Sequence, residues 1–224
     1  MGRDNSPKIR QARKLQRKQG TRPSYERILI VSEGTKTEPN YFREIRQDFQ
    51  IPTINVQIQP SDWGTDPLNI VRYAEHLFSD GDPHRRITKK SFERIYVVFD
   101  RDDHITYHDA LQRSESLNNK LRNDQKQKVQ FIAITSIPCF ELWLLLHFKE
   151  IYHWLHRDDV IKNLKHYIPI YEKGFEQCYQ KTRHNIKIAI ERAKKLSNNK
   201  SPYDDNEAYT NIYFLIEFLL RLKQ

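Results

Sequence analysis

The sequence predicts an α/β protein built on a parallel sheet flanked by helices, with a helical C-terminal extension. Three observations carry that expectation. Short β-prone apolar runs recur at Arg27–Ser32, Arg94–Phe99 and Val129–Thr135, and Ile54–Ile58 alternates as a strand does. Stretches with helical spacing separate these runs, which gives the β-α-β-α order of a parallel sheet covered on both faces. From about residue 150 the pattern turns helical and aromatic.

The first run, Ile28-Leu-Ile-Val31 with its flanking residues, is almost continuously apolar, as in a strand buried on both faces. It leads into the turn Glu33-Gly-Thr-Lys-Thr-Glu-Pro-Asn40. A helix over Tyr41–Asp48 follows, with Thr37 placed to cap it and Pro39 in its first turn. After the second strand, Asp66 and Pro67 open a helix that sets Leu68, Val71, Ala74 and Leu77 on one face. The polar stretch Ser79–Lys90 reads as an exposed connection. Beyond the third strand, residues 106–122 read as a polar helix. Beyond the fourth, Pro138–Phe148 reads as a very apolar one. Further helices are expected over Tyr152–His166, Ile186–Leu196 and Tyr209–Leu222. The last is apolar enough for core packing, and a dimer or partner surface is the other reading. The organisation expected is a basic arm over 1–26, an α/β domain over 27–150 and a helical part over 151–224 packed on it.

Composition narrows the class. Apolar residues make up only 38% of the 224, but aromatics at 12% supply bulky core material, so the chain reads as globular rather than disordered. No apolar run approaches the ~20 residues of a membrane span, and the first residues lack the apolar segment of a signal peptide. Two cysteines, Cys139 and Cys178, form neither a disulfide framework nor a zinc pattern. A cytoplasmic protein is expected. The net charge of +9 is concentrated at the start, where Arg3, Lys8, Arg10, Arg13, Lys14, Arg17, Lys18 and Arg22 face Asp4 alone. Such a block suits a polyanion whose counterions it displaces, and a solubilising tail is the bland alternative. Arg10, Arg13, Lys14, Arg17, Lys18 and Arg22 are the candidate nucleic-acid contacts. They would carry affinity rather than sequence specificity.

The carboxylates hold the chemistry. In open parallel sheets functional groups gather at the carboxyl ends of strands. Glu33 follows the first strand, Asp100, Asp102 and Asp103 follow the third, and Glu141 follows the fourth. Three segments thus bring acids to one sheet edge. Alternation along an extended chain would point Asp100 and Asp102 the same way, with Arg101 turned aside. Oxygen ligands suit Mg²⁺ or Mn²⁺, and a cation would offset the repulsion among them. A solvated turn is the competing reading of Asp100–Asp103.

Other signals are weaker. His104 and His108 stand one helical turn apart, a spacing that surface histidines share with zinc ligands. Gly34-Thr-Lys36 lacks the glycine and spacing of a P-loop, and no G-x-G-x-x-G exists. Cys139 precedes an apolar helix and reads as a buried thiol. The aromatic residues Phe140, Trp143, Phe148 and Trp154 are most simply core.

Three motifs in order, ILIVSEGTKTEPNYF, VVFDRDDH and SIPCFELWLLLHF, resemble the RloB-like family. Its members occur in prokaryotic defence and restriction-associated loci and resemble the Toprim superfamily of Mg²⁺-dependent enzymes. The likeness runs from about residue 27 to 215. Toprim proteins carry a Glu in a Glu-Gly turn after strand one and an Asp-x-Asp after strand three, and Glu33 with Asp100/Asp102 matches these. Similarity to overcoming-lysogenization-type nucleases implies Glu38 and Glu141 as ligands of a second metal, and Lys173 as a cation that steadies the transition state. Glu38 is followed by Pro39, which leaves its side-chain direction open. The resemblance implies a Toprim-like sheet and a nuclease using one or two Mg²⁺ or Mn²⁺ ions. RNA, including tRNA, stands slightly ahead of DNA as substrate, in defence against phage. Asp103 and His104 would support the ligands, with His104 also a candidate proton carrier. A partner ATPase and a homo-oligomer are compatible with it. The alternative is a non-catalytic sensor or adaptor on the same fold. A phosphohydrolase of the Asp-x-Asp type is disfavoured, because there the pair normally ends the first strand.

Overall fold

The computed structural model describes residues 26–204 and 207–222. The basic residues of the arm, Arg10 to Arg22, lie outside them. Strands β1 (Ile28–Ser32), β2 (Val56–Pro60), β3 (Arg94–Asp100) and β4 (Gln130–Ile137) pair in parallel, and β5 (Tyr209–Thr210) adds antiparallel to β4. The order is β2-β1-β3-β4-β5. Their connections are α1 (Thr37–Asp48), α2 (Pro67–Asp80) and α3 (Tyr107–Leu117). After β4 come α4 (Glu141–Leu146), α5 (Arg157–Tyr167), α6 (Cys178–Thr182), α7 (Ile186–Ser197) and, past β5, α8 (Ile212–Leu222).

The apolar alternation within each strand builds two cores. Ile28 and Ile30 of β1, with Tyr96 and Val98 of β3, join one cluster with α1, α4, α7 and α8. Leu29 and Val31, with Ile95, Val97 and Phe99, join the other with α2 and α3. Both faces of the central strands are thereby dry, which explains why β1 and β3 read as continuous apolar runs. Parallel register sets Ser32 beside Val98 and Asp100 beside Ser136, so β1, β3 and β4 all end on one edge. That edge receives the acidic turns.

Several boundaries differ from expectation, each for a local reason. α1 begins at Thr37, and the Thr37 hydroxyl does not cap it; its Oγ1 instead accepts from Gly174 N at 2.9 Å. Asp66 does cap α2, accepting from Asn69 N at 3.1 Å. That helix runs on to Asp80, and Ile87 is buried, so Ser79–Lys90 is not uniformly exposed. α3 stops at Leu117, and the Asn118 side chain beyond it accepts from Phe131 N at 3.1 Å. The apolar helix is confined to Glu141–Leu146, because Pro138–Phe140 form the turn that closes over Asp100. The helix expected from Tyr152 starts at Arg157, where the His156 ring accepts from Asp158 N at 3.3 Å. Tyr209 and Thr210 are strand rather than helix. Just past them Asn211 serves the same β4 edge, its Oδ1 accepting from Thr135 N at 2.7 Å and its Nδ2 donating to Ala133 O at 3.1 Å. The edge strand is thereby covered.

A central parallel sheet with helices on both faces, one antiparallel edge strand and a helical C-terminal extension is the Toprim-like α/β arrangement that the motifs imply. Among the described residues no helix is long and apolar enough to cross a membrane.

Candidate metal centre

The turn after β1 and the turn after β3 face each other across the strand-end edge. Glu33 N donates to Val98 O at 2.9 Å, and the Glu33 carboxylate returns across the sheet to accept from Asp100 N at 3.0 Å through Oε2. Its other oxygen, Oε1, stands 3.6 Å from His104 Nε2. Asp102 completes the group: Glu33, Asp102 and His104 each offer one ligand atom, all within 4.8 Å of one another.

Asp100 and Asp102 meet different partners. β3 ends at Asp100, so strand alternation stops there. Asp100 Oδ2 accepts from Phe140 N at 3.0 Å, in the turn before α4. Asp102 sits at φ 33°, a left-handed conformation that costs a side-chain-bearing residue about 1–3 kcal/mol. Its backbone N–H donates to Pro138 O at 3.2 Å, and its Oδ2 is ion-paired with Arg157 at the start of α5. Arg101 staples the same turn: its guanidinium donates to the Asp102 and His104 carbonyls at 3.3 and 3.1 Å and lies over the Tyr107 ring.

Glu38 and Glu141 come from neighbouring helices. The Glu38 carboxylate folds back over Gly34: a Cβ there would stand 1.8 Å from Glu38 Oε2, so the glycine of the Glu-Gly turn makes room for it. Glu141 Oε1 accepts from the Tyr171 hydroxyl at 2.7 Å. Among the described residues, neither joins a group of three ligand atoms like the one at Glu33, and Asp100 does not either. They are nonetheless electrically joined. Burial, followed by the charges of Glu33, Glu38, Glu141 and Asp102, holds the Asp100 carboxyl well above the usual carboxylate range. Burial pushes Glu38 up to about 7, with Glu141 and Glu33 adding to it. Glu33 is also raised by burial, against the hydrogen bond from Asp100 N, and Asp102 is raised by burial against the attraction of Arg157.

A divalent cation fits this arrangement on two counts. Asp102 Oδ1 is buried and has no hydrogen-bond partner, which is costly unless something charged occupies it. Glu33, Glu38, Asp100 and Asp102, driven toward their neutral forms, would be returned to their charged forms by a cation. The donors of the tightest group are two carboxylates and an imidazole rather than oxygen alone. That set suits Mn²⁺ at least as well as Mg²⁺.

A cavity of about 590 Å³ opens over the group, and its wall includes Glu33, Asp102, Asp103, His104, Arg157 and Lys173. Lys173 precedes Gly174, whose φ of +90° turns the chain back toward α1. Arg157 escaped the sequence reading because nothing in the local pattern of α5 points across to β3. Trp154 escaped for a different reason. Phe140 and Trp143 are core, but Trp154 is 44% exposed and lines this cavity. Cys139 is fully buried, and burial raises its thiol well above the ordinary value, as suits a packing residue. His108 lies between the Tyr107 and Tyr203 rings, at 5.5 and 5.7 Å, while His104 turns to Glu33.

No curated protein and no solved structure matches the chain. A family model described as RloB-like protein matches residues 28–219, from the first residue of β1 into α8. The match takes in every acidic turn of the strand-end edge, and the chain belongs to the RloB-like family.

Proposed function

We propose that the chain is a Toprim-type nuclease that hydrolyses phosphodiester bonds of RNA or DNA with Mg²⁺ or Mn²⁺, in defence against phage. The observation that carries this reading is the buried, unpartnered Asp102 Oδ1 beside Glu33 and His104, on the strand-end edge of the sheet. Glu33, Asp102 and His104 would hold the ion, with Asp100, Glu38 and Glu141 close behind them. The chemistry such an ion supplies is Lewis-acid polarisation of a phosphoryl oxygen. The protein's own part is electrostatic and positional. Lys173 and Arg157 stand on the cavity wall, where they neutralise the charge of a bound phosphodiester as it develops. Phe140 N and Asp100 N fix the Asp100 and Glu33 carboxylates so that they need not reorganise. The basic arm would hold the substrate backbone.

The non-catalytic reading has one observation in its favour. Arg157 already neutralises part of Asp102 without any ion. A sensor or adaptor would bind nucleic acid or a partner ATPase in EDTA and show no turnover. Incubation of the full-length protein with tRNA, single-stranded RNA and DNA separates the two. The expected result is cleavage that needs Mn²⁺ or Mg²⁺ and falls at least a hundredfold in Asp102→Asn. No ion-dependent cleavage of any of these substrates would overturn the nuclease reading.

A further inference from the structure

The cavity over the acidic group has an aromatic wall that the chemistry described so far does not use. Trp154 is 44% exposed, although the neighbouring cores bury Trp143 completely. A single exposed aromatic needs no explanation by itself. Its position does. Trp154 lines the same cavity as Glu33, Asp102, Arg157 and Lys173, in the stretch between α4 and α5. The His156 ring stands T-shaped to it at 6.2 Å, and the indole still lines the cavity. One recess therefore offers carboxylates for a cation, two cations for a phosphate and a flat π surface beside them.

We propose that Trp154 is a stacking platform for a nucleobase next to the phosphate bound at this site, so that the cavity takes an unpaired, single-stranded nucleotide. This rests on the nuclease reading for the role of the neighbouring carboxylates, and it adds the class of substrate. A base within a duplex has both faces covered by its neighbours, so only an unstacked base can lie against an indole. Stacking tolerates any base, because every base has a π face, so Trp154 selects strand state and not sequence. A cavity of about 590 Å³ is of a size that encloses a small ligand rather than a double helix.

The test uses the full-length protein in EDTA at low salt, where no ion-dependent cleavage occurs, and reads tryptophan fluorescence. A Trp63→Phe background removes the other exposed indole, and Trp143 is buried. The probes are a 12-nucleotide oligouridylate and a 12-base-pair RNA duplex. The expected result is quenching by the single strand and not by the duplex. Affinity, read for the variants by fluorescence anisotropy of the same strand carrying a 3′-fluorescein because they lack the reporting indole, should fall about tenfold in Trp154→Ala and stay within about threefold of the parent in Trp154→Phe, which keeps a ring. Equal quenching by the duplex, or unchanged single-strand affinity in Trp154→Ala, would overturn the proposal. So would absence of single-strand binding, the result expected if the indole instead meets a protein partner. The two readings fail separately. Trp154-dependent binding without any ion-dependent cleavage removes the nuclease and keeps the platform. Cleavage with the same strand preference in Trp154→Ala removes the platform alone.

Discussion

Asp100→Asn should stabilise the ion-free protein. Asp100 is 6% exposed, and its surroundings include the carboxylates of Glu33, Glu38, Glu141 and Asp102. Burial and these charges favour its protonated form. At neutral pH, where the unfolded carboxyl is ionised, folding must therefore either take up a proton at Asp100 or bury its charge, a cost that asparagine does not meet. Asparagine keeps the shape and the oxygen that accepts from Phe140 N, and it deletes the charge. Substitutions at buried charged positions change stability by about 1–3 kcal/mol. For a chain of this size that is roughly 2–12 °C in Tm. The sign with pH follows from linkage. A carboxyl whose folded pKa is raised binds its proton in the folded state first. Its contribution is full below the ordinary carboxylate pKa of about 4 and is lost as pH rises through the folded value. Glu38, pushed up to about 7, extends that loss to neutrality. Scanning calorimetry in EDTA should thus show the wild-type Tm falling between pH 5 and 8, with a shallower fall in Asp100→Asn. Adding Mn²⁺ should raise the wild-type Tm more than that of the variant. A folded Asp100→Asn protein that melts at or below wild type at pH 7.5 in EDTA would refute the reasoning. Asp100 would then be a structural anchor and not a repelled charge.

Gly34→Ala should displace Glu38, since the new Cβ would stand 1.8 Å from Oε2, and lower ion-dependent activity about tenfold. The Gly34→Ala/Glu38→Ala pair should be no worse than Glu38→Ala alone, and additive losses would argue against the clash. Arg157→Ala should cost about 1 kcal/mol in EDTA, the mostly buried ion pair still being partly screened, and Mn²⁺ should recover the loss; a Tm that Mn²⁺ leaves unrestored counts against a shared role for Arg157 and the ion on Asp102. Tyr171→Phe removes the donor to Glu141 Oε1, both groups being buried, and should cost roughly 1–3 kcal/mol in a urea melt. An unchanged midpoint would mean that Glu141 finds another partner.

The sheet was legible because its strands are short, apolar and bounded by turn residues, and a run such as Ile28–Val31 has few other fates. The common edge for Glu33, Asp100 and Glu141 followed from parallel topology alone. Side-chain direction did not. Nothing local foretells that Asp102 takes φ 33° and ends on Arg157, because its partners, Pro138 O and Arg157, lie across the turn. β5 was missed because two residues carry no period. Trp154 falls in an aromatic stripe with Phe140, Trp143 and Phe148 that points to core, and only the path between α4 and α5 brings it to the cavity. The motif resemblance makes His104 a support and a proton carrier. The fold brings its Nε2 to 3.6 Å from Glu33, within the tightest group.

The most direct measurement is anomalous diffraction at the manganese edge from crystals of the full-length protein soaked in Mn²⁺. The expected result is a peak bounded by Glu33, Asp102 and His104, with Asp102 Oδ1 among its ligands and lost in Asp102→Asn. A well-ordered site with Asp102 still held by Arg157 and no manganese within bonding distance of Glu33 would contradict a metal centre at this edge.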